Sequence, residues 1–326
     1  MNKIWAVLLA FCVPVLLTGC NAYQSASTLP TSNMSGALPN APSQQRSWML
    51  ANAKTDKLLY ASDEAGSEVY VFSYATHRRV GLLAGFSYPS GECVDARGNV
   101  WITEQDPGQI VEFAHGGTSP IATLSVPGFF ATACSIDPTT GNLAVLNRSG
   151  VDVYQNATGT PKQYAGTQNA IFNYCAYDES GNLFVSGQVA SSFFLAELKK
   201  HAGSLTAIKV QSDAPSLNSI QWYGKYLTVI MAQSYGQKLT YVARLHIAND
   251  KAEIIRTTKL VNQREPFNGQ FLIEGGHIIG PSAGFHGNAQ VLDQWNYPIG
   301  GRIKGKFVSG GTYYVALAGV AVSAAR

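Results

Sequence analysis

The feature that most constrains this chain is a short turn that returns at a nearly fixed interval. In its three clearest copies an Asp is followed by Gly-Asn and then an apolar run: Asp95…Gly98-Asn99-Val100-Trp101-Ile102, Asp137…Gly141-Asn142-Leu143-Ala144-Val145 and Asp178…Gly181-Asn182-Leu183-Phe184-Val185. Gly and Asn tolerate positive φ, and Asp bonds the backbone just ahead of it, so each copy reads as strand, tight hairpin turn, strand. The apolar runs after the turn begin near Leu58, Val100, Leu143, Leu183, Leu227 and His277, at steps of 42, 43, 40, 44 and 50 residues. The later copies are looser. Trp222-Tyr223-Gly224-Lys225-Tyr226-Leu227 keeps the Gly, and Glu274-Gly275-Gly276-His277-Ile278 keeps only the glycines.

A period of roughly 40–50 residues with about four strands per unit belongs to a β-propeller. One such sheet cannot bury both of its faces, but neighbours in a ring do so for it. Composition turns globular at Trp48, and the residues that follow are enough for a single ring. The expectation is therefore an all-β domain over residues 47–326, a six-bladed β-propeller. Tyr313–Leu317 and Gly319–Ser323 read as strand, and the first unit lacks an inner strand at its own start. This predicts a ring closed by the C-terminal strand; the alternative is a seven-bladed ring with an incomplete last blade. Ser191–Lys200 has helical propensity, but its place after the second strand of its unit makes it a strand.

The N-terminus carries a processing signal. Lys3 is followed by an almost wholly apolar Ile4–Leu17 segment, short for a bilayer span, that ends Leu17-Thr18-Gly19-Cys20. This ending resembles the lipobox of bacterial lipoproteins. The resemblance implies that residues 1–20 are a lipoprotein signal peptide and that Cys20 takes the lipid and becomes the new N-terminus. It also implies a cell-envelope location, with the membrane as partner through that lipid. Asn21, in place of Asp, implies the outer membrane, facing the periplasm. Residues 21–46 are rich in Ser, Asn, Ala, Pro, Thr and Gln without apolar periodicity, as in a disordered tether.

The formal net charge is +3, and the cations are scattered, with no nucleic-acid footprint. The densest clusters are Arg78-Arg79, Lys199-Lys200 and Arg302-Lys304-Lys306. The last alternates along one strand, which reads first as a solvated outer strand and, more sharply, as a basic patch for anionic lipid headgroups or glycans. Cys93, Cys134 and Cys175 lie 41 residues apart on the first strands of three successive units. Cys134 and Cys175 share a register, whereas Cys93 sits one position later and faces the other way. A disulfide would leave one thiol over, and no Cys-x-x-Cys or Cys/His metal pattern is present, so the first expectation is three small buried residues. Of the six histidines, His77, His115 and His201 fall near strand ends and are expected to be exposed. His277 and His286 flank a Gly-Pro-Ser-Ala-Gly loop, where a general base is the lesser reading.

The segment Ser90–Glu104 resembles NHL-type propeller repeats. Trp101-Ile102-Thr103-Glu104, followed by Gln109-Ile110, also resembles repeats of the streptogramin lyase family. The resemblance is good over Gly91–Val185 and rests on spacing elsewhere. It implies blade architecture, which enzymes and binding proteins share. The first functional reading is a lipid-anchored, non-enzymatic binding or scaffold protein that takes a protein, peptide or glycan on one face. The alternative is a metal-dependent lactonase-like hydrolase, similar to the gluconolactonase type, or a streptogramin-type lyase. A hard divalent cation needs oxygen ligands, for which Glu92, Glu104, Asn147, Asn173 and Asn218 are the candidates. A lyase needs a His with an acid, for which His277 and Glu274 are at hand. Neither set matches a family motif, and Glu104 and Asn147 occupy equivalent places after a second strand, where a turn role fits. No catalytic residue, cofactor or metal ligand is assigned.

Overall fold

The turns form as their residues dictate. Asp95 Oδ1 accepts the backbone N–H groups of Arg97 and Asn99, both at 2.8 Å, and Asp178 Oδ1 accepts those of Ser180 and Asn182 at 2.9 and 2.8 Å. Gly98, Gly141 and Gly181 take φ of 88°, 74° and 87°, the left-handed conformation that such turns require. The computed structural model describes residues 46–326 except 149, 167–169, 191, 212–216, 233–238, 262–268, 283–290 and 310–316.

Among the described residues the architecture is all-β, apart from two short 3₁₀ turns, Ala51–Lys54 and Gln155–Ala157. The first sheet contains β1 (Trp48–Met49), β2 (Leu58–Asp63), β3 (Glu68–Ser73) and β4 (Arg79–Ala84). The second runs β5 (Pro89–Val94), β6 (Val100–Glu104), β7 (Gln109–Phe113) and β8 (Pro120–Ser125). The third is β9 (Ala133–Ile136), β10 (Leu143–Asn147), β11 (Gly150–Tyr154) and β12 (Lys162–Ala165). The fourth is β13 (Ala170–Tyr177), β14 (Leu183–Val189), β15 (Ser192–Leu198) and β16 (Thr206–Ala207). Ser192–Leu198 is thus a strand, as its place in the repeat predicts.

After β17 (Lys209–Gln211) come two antiparallel four-stranded runs. One is β18 (Leu217–Tyr223), β19 (Tyr226–Ala232), β20 (Leu239–Ala248) and β21 (Lys251–Val261). The other is β22 (Leu272–Glu274), β23 (His277–Ser282), β24 (Val291–Asn296) and β25 (Gly300–Val308). The two runs join through parallel pairing of β21 with β25 at Leu260↔Gly301 and Val261↔Arg302, which repeat spacing does not foretell. The last strand, β26 (Leu317–Ser323), pairs antiparallel with β2, from Leu58↔Ser323 to Asp63↔Leu317. The C-terminal strand therefore completes the first sheet, as expected. Of the predicted Tyr313–Leu317 segment, all but its last residue lies outside the described residues.

The strands next to the axis follow one another in a closed cycle: β26 packs on β5, β5 on β9, β9 on β13, β13 on β18, β18 on β22 and β22 on β26. Buried side chains fill the gaps between neighbouring sheets. Leu58, Val69, Val71, Val100 and Ile102 pack between the first and second sheets, and Trp101, Ile110, Cys134, Leu143 and Val145 between the second and third.

The cysteine expectation needs correction. Cys93 and Cys134 form a disulfide with Cα atoms 5.7 Å apart, and Cys175 is free and buried. Opposite facing is what permits the bond. Glu92, not Cys93, occupies the register of Cys134 and Cys175, since Glu92↔Ile102, Cys134↔Val145 and Cys175↔Val185 are equivalent pairs. Cys93 therefore points forward into the gap toward which Cys134 points back. Cys175 points back into the next gap, out of line with that pair. Burial pushes its thiol far above the ordinary range, which keeps it an unreactive small hydrophobe.

Two outcomes follow. After denaturation without reductant, an alkylating agent should label Cys175 and neither Cys93 nor Cys134. The Cys93→Ala/Cys134→Ala variant should lose about 2–4 kcal/mol of stability from the released 41-residue loop, read by urea unfolding. Labelling of all three residues would contradict the pairing. Separately, a Cβ at Gly319 would collide with the Ser90 carbonyl oxygen, where β26 lies against β5. Gly319→Ala should therefore cost about 1–3 kcal/mol. Gly203→Ala, with nothing within 4 Å, should leave the unfolding midpoint at or slightly above the parent.

Candidate binding face and central channel

The innermost strands surround a cavity of about 370 Å³, lined by Glu92–Val94, Cys134–Ile136, Cys175–Tyr177, Ile220–Trp222, Gln270–Glu274 and Val320–Val322. Its one deeply buried carboxylate is Glu92, 1% exposed. Ser62 donates its hydroxyl to Glu92 Oε1 at 2.5 Å, while Oε2 has no partner of good geometry. Burial pushes this acid up to about 8, against the opposing pull of the Ser62 hydroxyl and the Ala321 and Ser62 backbone. At neutral pH it is mostly the neutral acid, wedged between β5 and the β2–β26 pair.

The other sequence candidates do not join it. Glu104, at the end of β6, accepts the Ser87 backbone N–H at 2.7 Å and the Gln109 side-chain amide at 2.9 Å. Asn147, at the end of β10, donates to the Pro127 carbonyl at 3.0 Å and to Asp152 Oδ2 at 2.6 Å. Both are loop-pinning residues, the turn role their equivalent positions predict. Asn173 and Asn218 sit at register shifts in β13 and β18 and, like Glu104 and Asn147, do not line the cavity. His277 faces Glu274 across a hairpin, but Glu274 is engaged by the Lys57 ammonium. That pair is no acid–base dyad. His286 and Cys20 lie outside the described residues.

Two histidines are less exposed than their strand-end positions predict. His115 is half-buried, with Nδ1 2.6 Å from Ser323 Oγ and Nε2 3.0 Å from the Asp56 carbonyl. Burial lowers its pKa. His77 is half-buried against Phe307, with ring centroids 4.4 Å apart. His201 is exposed, as expected.

What Glu104 and Asn147 pin are two loops that the sequence reading passed over. Ser87-Tyr88 precedes β5, and Pro127-Gly128-Phe129-Phe130 precedes β9. Tyr88, Phe129 and Phe130 are 54%, 61% and 43% exposed and are the only exposed Phe, Tyr or Trp side chains among the described residues. They are also the only Phe, Tyr or Trp residues there with positive φ, at 52°, 62° and 56°. Bulky residues rarely adopt that conformation. Gln105 joins the loops: its N–H donates to the Tyr88 carbonyl at 3.2 Å, and its carbonyl accepts the Phe130 N–H at 3.0 Å. Its side-chain amide donates to Glu64 Oε1 at 2.5 Å. The Arg148 guanidinium lies 4.6 Å from the centre of the Phe130 ring. The outcome is a fixed aromatic knuckle edged by one cation and hydrogen-bonding groups. Its sequence signal was two consecutive Phe residues beside Pro-Gly, a place where apolar residues have no core to serve.

No protein-family model matches the chain, and no curated protein matches it. Solved structures do. A chain in the crystal structure of a nidogen/laminin complex is similar with a TM-score of 0.64 at 12% identity, over 83% of this chain and 99% of that one. A protein of unknown function from Bacteroides caccae gives 0.59 at 12% identity, over 82% and 99%. The β-propeller domain of Cps50 (Swd1) from Myceliophteria thermophila gives 0.53 at 12% identity, over 82% and 86%. At such identities the likeness is one of fold alone. With the cycle of inner strands, it defines a protein of the β-propeller kind.

Glu92 gives a pH prediction. The unfolded chain releases this proton near 4.5 and the native state near 8. Between those values the native state holds the extra proton, so stability falls as pH rises, by up to about 1.4 kcal/mol per pH unit from this group. Urea midpoints at pH 5 and pH 9 should converge in Glu92→Gln relative to the parent. An unchanged gap between them would mean that this carboxyl does not titrate in that window.

Proposed function

We propose that the chain is a lipid-anchored, non-enzymatic binding protein of the cell envelope that captures a protein or peptide on the face carrying Tyr88, Phe129 and Phe130. The observation that carries this reading is the coincidence of exposure and left-handed backbone at these three aromatics. Aromatic residues with an Arg beside them are the typical centre of a protein interface. Propeller relatives in fold include a chain from a protein–protein complex, which agrees with a binding role.

In this reading the ring has six blades, a number supported by the six strands that follow one another around the axis. Residues 1–20 are the signal peptide, Cys20 bears the lipid, residues 21–46 are the tether and residues 47–326 the ring, facing the periplasm from the outer membrane. The metal-dependent alternative has less support, because of its five proposed oxygen ligands only Glu92 lines the channel.

The test compares crosslinked partners recovered from envelopes by the parent and by Tyr88→Ala/Phe129→Gly/Phe130→Gly. Glycine relieves the left-handed backbone at 129 and 130, and Ala at 88 keeps a Cβ in that conformation as Tyr does, so the variant should fold about as stably as the parent. It should nevertheless lose its partner by about tenfold or more. Ile121→Ala, on an outer strand, should retain it. Equal recovery by all three proteins, or hydrolysis of a lactone panel by the purified parent, would reverse the reading. Mass spectrometry of the N-terminal peptide should find a diacylglyceryl group on Cys20.

A further inference from the structure

The outermost strands β21 and β25 differ in character from the aromatic face. They meet in parallel at Val261↔Arg302, so those two side chains lie side by side and the strands form one continuous rim. Lys251, Lys259, Arg302 and Lys304 are exposed along it. None of these four has a carboxylate within 4.0 Å among the described residues. β25 contains no acid, and β21 contains only Glu253. Where β17 pairs with β21, Lys209 lies opposite Lys251 and adds a further cation.

Exposed aliphatic residues sit among these cations. Ile299, in the turn that enters β25, is 80% exposed, and Val308, at its end, is 47% exposed. Ile255 and Val261 on β21 are exposed as well. Among the described residues no Phe, Tyr or Trp side chain is exposed on this rim. The chemistry separates two possible occupants. Protein interfaces are depleted in Lys and enriched in aromatic residues. Anionic bilayer surfaces attract Lys and Arg additively and take up small aliphatic groups at the headgroup level.

We propose that the β21–β25 rim is a docking surface for an anionic lipid bilayer. The cations lie over the phosphate layer, and Ile299 and Val308 enter the boundary beneath it. The contact does not depend on the acyl group, because the rim belongs to the folded ring. Docked this way the ring rests edge-on, and its aromatic knuckle is turned neither into the membrane nor directly away from it.

A plainer role exists for lysines on outer strands: they keep sheet edges from pairing with other molecules. Charge reversal separates the two roles, because Glu guards an edge as well as Lys does but is repelled by anionic lipid. The mature chain, residues 20–326, carrying Cys20→Ser so that neither the apolar signal segment nor an acyl group is present, is compared with the same chain bearing Lys259→Glu/Arg302→Glu/Lys304→Glu. Both are sedimented with phosphatidylcholine vesicles and with vesicles containing about one-third phosphatidylglycerol, a strongly anionic surface. Circular dichroism melts and light scattering establish that both proteins are folded and monomeric.

The first chain should partition about tenfold or more in favour of the anionic vesicles, and added salt should remove that preference. Charge reversal should abolish it and leave the weak binding to phosphatidylcholine unchanged. Equal partition of the first chain onto both vesicles would overturn the proposal. So would an undiminished preference in the folded charge-reversed chain. If the three charges govern capture of an acidic protein and not of vesicles, the rim is a protein interface and the lipid proposal falls.

Discussion

The ring depends on one strand arriving from the far end of the sequence. β26 supplies the inner member of the first sheet, and without it β2 would present a bare edge to the axis. Several independent groups hold it there. The β2 ladder is one. The Gln270 N–H donates to the Ala318 carbonyl at 2.8 Å, and the Ser323 hydroxyl donates to the Gly98 carbonyl at 2.5 Å, with His115 against the same hydroxyl. Glu92 reaches the same strand from β5. Each bond contributes about 1 kcal/mol, so no single one decides closure. Their number also explains why residues as distant in sequence as Gly98, His115 and Gln270 are tied to the last ten residues.

The part of the cycle beside β26 is also where the ladder is thinnest, since β22 has only three residues. Two glutamines supply there what backbone pairing does not. Gln221 Oε1 accepts the Ile273 N–H at 2.5 Å while its Nε2 donates to the Ile273 carbonyl at 3.4 Å. Gln270 does the same to Glu92, at 2.9 and 2.8 Å. A side-chain amide has the donor and acceptor of a peptide group, so it can pair with both backbone groups of a neighbouring strand that has splayed away. The Tyr74 hydroxyl, donating to the Glu274 carbonyl at 2.9 Å, adds a tie between the first and last units. Beside β22 the seam is therefore closed by side chains, whereas the second and third units are tied by the Cys93–Cys134 disulfide and by backbone bonds such as Phe130 N–H to the Gln105 carbonyl.

How much of this was legible follows from which residues repeat. Turn chemistry at Asp95, Asp137 and Asp178 fixes the hairpins locally, so strands beginning at Leu58, Val100, Leu143, Leu183 and His277 fall where the spacing places them. The C-terminal strand was legible because it filled a place the first unit left empty. What does not repeat was not legible. The disulfide turns on a single-residue offset of Cys93, which read as separation when it meant convergence. His115 sits in an Ala-His-Gly-Gly sequence that looks like a surface turn, and only the folded chain brings Ser323 to it. The β21–β25 pairing joins units whose strands outgrow the usual length. Of the site, the equivalent places of Glu104 and Asn147 already pointed to a turn role, and the folded chain adds which loops they hold.

The aromatic knuckle is the clearest case in which local preference and fold disagree. A bulky L-residue in the left-handed region costs about 1–2 kcal/mol, and exposure returns little burial in exchange. Three such residues stand on two adjacent loops, opposed to the general tendency of a chain to resolve strain where glycine would do. Gly128 shows that the loop can accommodate glycine, with φ of 91° in the position just before Phe129. The pins from Glu104, Asn147 and Gln105 fix the geometry but do not need an aromatic side chain at 88, 129 or 130, because they bond backbone atoms. The side chains are therefore not explained by the loops that carry them. Strain that the surrounding structure maintains without using it for its own packing points outward, to a surface that gains from rings already held in place.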